Sequence, residues 1–180
     1  MKIRNSSASF GAMTRFLHWV TALLVFLAVG IGYWIANAEL SFSALKYFGY
    51  HKTLGFAVMA LIVVRLLWHR FSRPPHPVSS GVAWQDTLAT AVHRLFYLLL
   101  LVMPLSGWVA SSATGIDTIV FGRWTLPAIA PVNEHWEKIG FLIHSIAAKA
   151  LVALILIHLG GALFRAVRKR DGTLQRMAFG

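Results

Sequence analysis

Four long apolar stretches constrain what this chain can fold into more than any other feature of its sequence. They cover residues 16–36, 51–68, 92–111 and 141–164. A helix needs about 20 mostly apolar residues to cross a bilayer, and inside lipid it can satisfy all of its own backbone hydrogen bonds. The pattern therefore predicts an all-α membrane protein, a bundle of four transmembrane helices that forms a single domain over residues 1–180.

The overall composition agrees with a location in the membrane. Hydrophobic residues make up 57% of the chain and charged residues only 13%, which is about half the charged share of a soluble domain. The first stretch follows Arg15 in the manner of a signal peptide, but the apolar region of a signal spans roughly 7–15 residues. Because residues 16–36 are longer than that, we expect them to remain in the protein as a transmembrane helix.

The distribution of basic residues predicts the orientation of the helices. Most of the lysines and arginines flank the ends of the helices that lie on the same side as the two termini. The opposite side has Lys46, Lys52, Arg123 and Lys138, offset by Glu39, Asp117, Glu134 and Glu137. Because basic flanks stay in the cytoplasm, both termini are predicted to be cytoplasmic. The net charge of +11 is then explained by the basic residues that orient the helices in the membrane, and it does not indicate nucleic-acid binding.

The absence of cysteine narrows the possible metal chemistry. With no cysteine in the chain, disulfides, iron–sulfur clusters, zinc–thiolate sites and covalently attached c-type haem are excluded. A metal centre would have to use the eight histidines, carboxylates or methionine.

Four histidines fall within the predicted spans at two depths. His18 lies at the start of the first span and His158 late in the fourth, so both are expected near the cytoplasmic face. His51 begins the second span and His144 lies early in the fourth, so both are expected near the outer face. An ionisable side chain inside a span is costly and is a functional candidate by default.

The spacing along the fourth span favours two sites, each made of two histidines. His144 and His158 are separated by about 21 Å along a helix axis and leave the same broad face. Zinc or non-haem iron usually takes more protein ligands, whereas two imidazoles suit haem, whose porphyrin supplies four nitrogens. Small residues such as Gly55 and Ala147, one turn from a histidine, leave space for a flat group. Such residues are also common wherever membrane helices pack closely, and an intramembrane histidine can also serve as a buried hydrogen-bonded group or a proton relay.

With these histidines in place, the sequence resembles the bacterial cytochrome b561 family, which includes relatives of the cytochrome b subunits of nickel–iron hydrogenases. The matching segments are residues 15–19 (RFLHW), 51–55 (HKTLG), 64–68 (VRLLW), 93–97 (HRLFY) and 103–108 (MPLSGW), together with His144 and His158. The resemblance implies a multi-pass protein of the bacterial inner membrane that holds two haem b groups. Their axial ligands would be His18 with His158 (inner haem) and His51 with His144 (outer haem).

The resemblance also implies a function in electron transport. Quinone is the expected partner, together with a small redox donor or a protein redox partner, and the short chain is similar to the stand-alone members, including the superoxide–ubiquinone oxidoreductase type. A second hypothesis is a cytochrome b electron-transfer subunit of a larger dehydrogenase or hydrogenase complex. A third is a haem-free membrane transporter or assembly factor. The sequence leaves the electron donor and the oligomeric state open.

Four further residues are candidate contacts of the cofactors. Lys52 and Arg15, near His51 and His18 respectively, are candidate partners of haem propionates, although both also fit residues that mark the membrane surface. Lys149 fits either a polar pocket near the outer haem or a side chain that extends towards water. His93 is a fifth histidine in a span and is expected outside the ligand set.

Two other histidines, His69 and His76, are expected to be solvated in the connection between the second and third spans. The longer connection between the third and fourth spans, residues 112–138, fits an ordered lid or a loosely folded loop equally well.

Overall fold

The fold was analysed on a computed structural model, which describes residues 2–39 and 41–179 and, for residues 42–44, the backbone alone. Four long helices follow one another along the chain: α1 (Ala12–Asn37), α2 (Phe42–Phe71), α3 (Ala83–Ala113) and α4 (Glu134–Phe164). Strands β1 (Thr118–Val120) and β2 (Trp124–Leu126) lie between α3 and α4. A π-helical turn (Arg165–Lys169) and a short helix α5 (Thr173–Ala178) follow α4.

Each of the four helices contains one of the predicted spans and extends beyond it. All four are long and apolar enough to cross a membrane. Large apolar side chains on their outer faces are open to the surroundings, for example Phe16 at 60% and Leu156 at 66% exposure. Apolar surface on this scale is typical of contact with lipid. The predicted four-helix membrane bundle is therefore confirmed. The observed helices are longer than the predicted spans, because polar and basic residues at their ends continue the helical backbone.

The centre of the bundle is packed by apolar side chains from all four helices. Helix α3 packs most extensively on α4, α1 packs on α2, and α2 also contacts α3. Gly140 of α4 allows the close approach to α3, because a Cβ atom there would lie 2.8 Å from Ala110. The buried core cluster consists of Val25, Val58, Ile62, Leu100 and Leu151. Leu151 lies midway between His144 and His158, so this apolar layer separates the two levels at which those histidines lie.

The described segments before α1 and after α4 lie at the same end of the bundle, which we call the termini end. Asn5 bonds to Ser72 at the end of α2, with its backbone N–H donating to Oγ (2.9 Å) and its side-chain amide donating to the backbone oxygen (2.8 Å). After α4, Arg165 donates to Asp171 (2.7 Å) and to the backbone oxygen of Val78 (2.7 Å). The two termini and the connection between α2 and α3 therefore form one hydrogen-bonded layer.

Asp171 in this layer is held in its charged form. Its burial would raise the pKa, but hydrogen bonds from Thr173 and Arg165 outweigh that effect and hold the pKa of the carboxyl group below its usual value. Its ionised form therefore stabilises the layer.

An ordered β-hairpin covers the opposite end of the bundle, which we call the hairpin end. Strands β1 and β2 pair antiparallel, with Val120 opposite Trp124, and Phe121 and Gly122 take the positive φ angles of a tight hairpin turn. The N–H of Phe121 donates to Thr53 Oγ1 of α2 (2.9 Å), and the indole of Trp108 donates to the backbone oxygen of Pro127 (3.1 Å). Of the two possibilities left by the sequence, the ordered lid is the one found.

Candidate functional site

The four histidines of the spans meet in two pairs. The ring centres of His18 and His158 are 6.3 Å apart at the termini end. The ring centres of His51 and His144 are 5.9 Å apart at the hairpin end. Each pair joins α4 to another helix, α1 in the first case and α2 in the second. The pairing by depth that the sequence predicts is the one that the helices bring about, while the role of these residues as ligands stays a prediction.

Both spacings fit two imidazoles on opposite sides of one metal ion. A bond from metal to imidazole nitrogen is about 2.0 Å and the ring centre lies about 1.1 Å behind that nitrogen, so the two centres would be about 6 Å apart. Within the described parts of the chain, no group of three or more His, Cys, Asp or Glu side chains could hold a metal ion. Two protein ligands suffice only where another group supplies the remaining ones, as a porphyrin does.

Backbone carbonyl groups orient the rings of the pair at the hairpin end. Nδ1 of His51 lies 3.0 Å from the backbone oxygen of Ala28 on α1, and Nδ1 of His144 lies 2.9 Å from that of Met103 on α3. Since a carbonyl oxygen only accepts, each Nδ1 carries the hydrogen and each Nε2 keeps a free lone pair. A bond of this kind fixes both the tautomer and the orientation of a metal-binding imidazole.

Two glycines make room for these rings. A Cβ at Gly32, four residues after Ala28, would lie 2.8 Å from Cε1 of His51. A Cβ at Gly107, four residues after Met103, would lie 3.1 Å from Nδ1 of His144. Each ring therefore packs against a glycine and bonds to the backbone oxygen one turn earlier in the same helix as that glycine. Gly107 belongs to the segment 103–108 on which the family resemblance rests, but the sequence predicts no contact of either glycine with a histidine. Those contacts appear only once the helices are packed.

Polar groups from α2 and α3 surround the pair at the termini end. A guanidinium nitrogen of Arg65 lies 3.5 Å from Nδ1 of His18, and its guanidinium carbon lies 5.6 Å from the centre of the Tyr97 ring. The Tyr97 hydroxyl lies 3.3 Å from Nδ1 of His69. Among the described residues, Nε of Arg65 and Nε2 of His69 are buried without a hydrogen-bond partner.

Two consequences follow for the sequence predictions. The expectation that His69 is solvated is wrong, because α2 continues to Phe71 and places this ring between the helices, next to Tyr97. His76 is exposed, as expected. Arg65 entered the sequence predictions only as part of the segment 64–68 and as one of the basic residues that set the topology, although a charged side chain within a span is itself a signal of function.

His93 lies beside the termini-end pair. Its ring centre is 5.3 Å from that of His158, closer than His18, and the rings meet edge to face at 87°. Its Nδ1 donates to the backbone oxygen of Ala89 on its own helix (2.7 Å). At this spacing the two rings contact each other directly, whereas the 6.3 Å between His18 and His158 leaves the space that a shared ion needs. The arrangement supports keeping His93 outside the ligand set.

The other three candidate residues differ in their surroundings. Lys52 is half-buried and donates to Ser111 Oγ (2.7 Å), which also accepts from Thr118 Oγ1 of the hairpin (3.1 Å). Arg15 is only 7% exposed, and its Nε has no partner among the described residues. Lys149 is exposed on the outer face of α4, which agrees with a side chain that extends towards water. Their contacts with a cofactor stay predictions.

Comparisons with known proteins agree with this architecture. The family model described as prokaryotic cytochrome b561 matches residues 9–180. The chain is 31% identical to cytochrome b561 homolog 2 of Escherichia coli K12, over 98% of this chain and 95% of that protein. It is 28% identical to cytochrome b561 homolog 1 of the same organism, over 90% and 92% of the two chains. It is 26% identical to the probable superoxide oxidase CybB of Yersinia pestis, over 89% and 90%.

Proposed function

Because the chain belongs to the prokaryotic cytochrome b561 family, we propose that it binds two haem b groups, one at each histidine pair, and carries electrons across the membrane between them. Membership establishes the coarser statement: this is a multi-pass protein of the bacterial inner membrane, with b-type haem and a role in membrane electron transfer. A haem-free transporter or assembly factor does not fit that membership.

One observation carries the proposal of two sites. His18 with His158 and His51 with His144 have nearly the same ring spacing, 6.3 and 5.9 Å. The shared helix α4 separates the two levels by about 21 Å along its axis. Haem held by these pairs would supply one-electron chemistry, and if both histidines of a pair bound its iron, no coordination position would be open to oxygen or substrate. The histidines therefore favour electron transfer over oxygen activation.

The surrounding residues fit the charge of such a group. Haem propionates are anionic, and Arg65 places a guanidinium 3.5 Å from His18 with its buried Nε unpartnered among the described residues. Lys52 directly follows His51, and its ammonium group donates to the hydroxyl of Ser111, which carries no charge. These two cations are the proposed propionate partners at the termini end and the hairpin end. Following the basic-flank rule, the termini end is proposed to be the cytoplasmic one.

Single histidine replacements test the two-site proposal. In a potentiometric titration of the purified protein, His18→Ala and His158→Ala should remove the same redox component. The variants His51→Ala and His144→Ala should remove the other. The exposed His76→Ala is the matched control and should retain both. If two variants of one pair remove different components, the proposed pairing is wrong.

Quinone is the proposed membrane-side electron partner. The bundle presents long apolar faces to lipid, where a quinone pool resides, and the resemblance to the stand-alone members of the family points to the same partner. Stopped-flow mixing with a quinol or a quinone should change the haem absorbance on a catalytic time scale. A cytochrome that serves only a larger complex would respond to neither, which would contradict this part of the proposal.

Superoxide is a second candidate substrate, for two reasons. One relative bears the name probable superoxide oxidase, and the hairpin end of this chain holds the half-buried ammonium group of Lys52 next to His51. A cation in this position attracts a small anion and raises its rate of encounter. Reduction by superoxide should slow in Lys52→Met and at high salt, whereas reduction by a neutral quinol should not. Equal rates in the variant and the parent protein would remove Lys52 from this role.

A further inference from the structure

A small cavity with a basic lining lies at the termini end, where the segment before α1 folds back on the helix. Its volume is about 190 Å³, which is enough to hold several water molecules. Among the described residues, no carboxylate side chain lines it. Its lining includes the cations Lys2, Arg4 and Arg15, the hydroxyls of Ser6 and Ser9, and the ring of Phe179.

Gly11 brings these cations together. A Cβ at this position would clash with the backbone oxygen of Ile3, so the absence of a side chain allows residues 2–4 to pack directly on the start of α1. The N–H of Ala12 donates to the backbone oxygen of Lys2 (3.0 Å). The fold therefore holds the segment that carries Lys2 and Arg4 in a defined place against the first turn, where Arg15 lies.

The buried side chain of Arg15 indicates a ligand. The residue is only 7% exposed and lines this cavity. Its Nε has no hydrogen-bond partner among the described residues. A buried guanidinium group is costly unless an anion and hydrogen-bond acceptors face it. Two further cations on the same cavity add to the positive charge instead of neutralising it.

We propose that this cavity binds a phosphate group, either the phosphodiester of an anionic lipid headgroup or free phosphate. Guanidinium groups match the oxygen geometry of phosphate, and three cations suit an anion with several charged or partly charged oxygens. The cavity lies at the first turn of a transmembrane helix, the level at which basic pockets meet headgroups. None of the paired histidines lines this cavity. Arg15 is also a candidate partner of an inner haem propionate, so the haem content of each variant is measured together with its phosphate and lipid binding.

Two measurements on the purified haem-containing protein test the proposal. Inorganic phosphate is titrated by calorimetry in neutral detergent at constant ionic strength, with chloride as the balancing salt. Native mass spectrometry then measures which lipid remains bound after exchange into a mixture of phosphatidylglycerol and phosphatidylcholine. The variants are Arg15→Gln and the exposed Arg4→Gln, whose folding is not in question. The exposed Arg168→Gln, near the same end of the bundle, is the control with the same loss of charge.

The parent protein should bind phosphate or retain phosphatidylglycerol selectively. The affinity should fall about tenfold or more in Arg15→Gln and several-fold in Arg4→Gln, with Arg168→Gln unchanged. Selective retention of phosphatidylglycerol identifies the lipid as the source, whereas saturable phosphate binding without it identifies the free ion. The proposal is overturned if neither probe binds, or if Arg168→Gln loses as much as the other two. It is also overturned if Arg15→Gln loses haem while its phosphate and lipid binding remain unchanged.

Discussion

Replacing Gly32 with alanine tests how the histidine pair at the hairpin end is held. The added Cβ would lie 2.8 Å from Cε1 and 3.2 Å from Nδ1 of His51. Non-bonded carbon atoms prefer about 3.5–4.0 Å, so the ring would have to move by roughly 0.7 Å. The ring cannot move freely, because its Nδ1 donates to the backbone oxygen of Ala28, which lies on α1 together with Gly32. The displacement should therefore disturb both the hydrogen bond and the direction in which Nε2 points.

The expected loss of haem affinity follows from what a hydrogen bond to a metal-binding imidazole contributes. Loss of a hydrogen bond that orients a metal-binding imidazole lowers metal affinity about 10–100-fold, or roughly 1.4–2.7 kcal/mol. In Gly32→Ala, the haem content should fall from two per chain towards one, and the redox component assigned to His51 and His144 should be the one lost. The component assigned to His18 and His158 should keep its potential.

Helix α1 offers a matched control in Gly30→Ala. This substitution lies two residues away in the same helix and brings the same gain in helix propensity, but its added Cβ has nothing within 4 Å. The assay is the haem-to-protein ratio of each purified variant, followed by a potentiometric titration. Equal haem content and equal potentials in the two variants would refute the argument that the glycine makes room for the ring.

Three further changes test other parts of the structure. In Gly107→Ala, the new Cβ would lie 3.1 Å from Nδ1 of His144, so the same redox component should shift in potential with a smaller loss of haem; an unchanged titration would contradict this. Because Lys149 is exposed, Lys149→Gln should leave haem content and both potentials unaltered, and the loss of either component would restore its predicted role near the outer haem. The pKa of Asp171 lies below its usual value of about 3.9, so its charged form stabilises the fold above that pH and the contribution is lost as the pH falls through the lowered pKa. In thermal unfolding, Asp171→Asn should cost about 1–3 kcal/mol at pH 7, and its difference from the parent protein should shrink in acid; a pH-independent difference would argue against the ionised carboxylate.

The sequence was most informative about the position of ionisable residues in the membrane, because such residues are costly to place in lipid. Histidines within apolar spans could be assigned to depths, because a helix rises by a fixed distance per residue and successive spans alternate in direction. That reasoning is enough to place His18 with His158 and His51 with His144, and the helices bring those rings together. The four spans follow from the same cost of polar groups in lipid.

Features that depend on the contact between two helices could not be predicted from the sequence. Gly32 and Gly107 lie on different helices from the histidines that pack on them. Although Gly107 belongs to the segment 103–108, neither local sequence indicates which residue packs on the glycine. His69 was assigned to a solvated connection because the apolar pattern ends at Trp68, whereas the backbone hydrogen bonds continue the helix to Phe71. Residues 112–138 contain too few residues per strand for the alternation of apolar and polar residues to predict the hairpin.

The haem content of the purified parent protein, measured together with its optical spectrum, tests the central claim most directly. Two histidine pairs with ring spacings of 6.3 and 5.9 Å predict two haem b groups per chain, both low-spin and six-coordinate in the oxidised and the reduced state. A single haem per chain, or a high-spin haem with an open coordination position, would contradict the account.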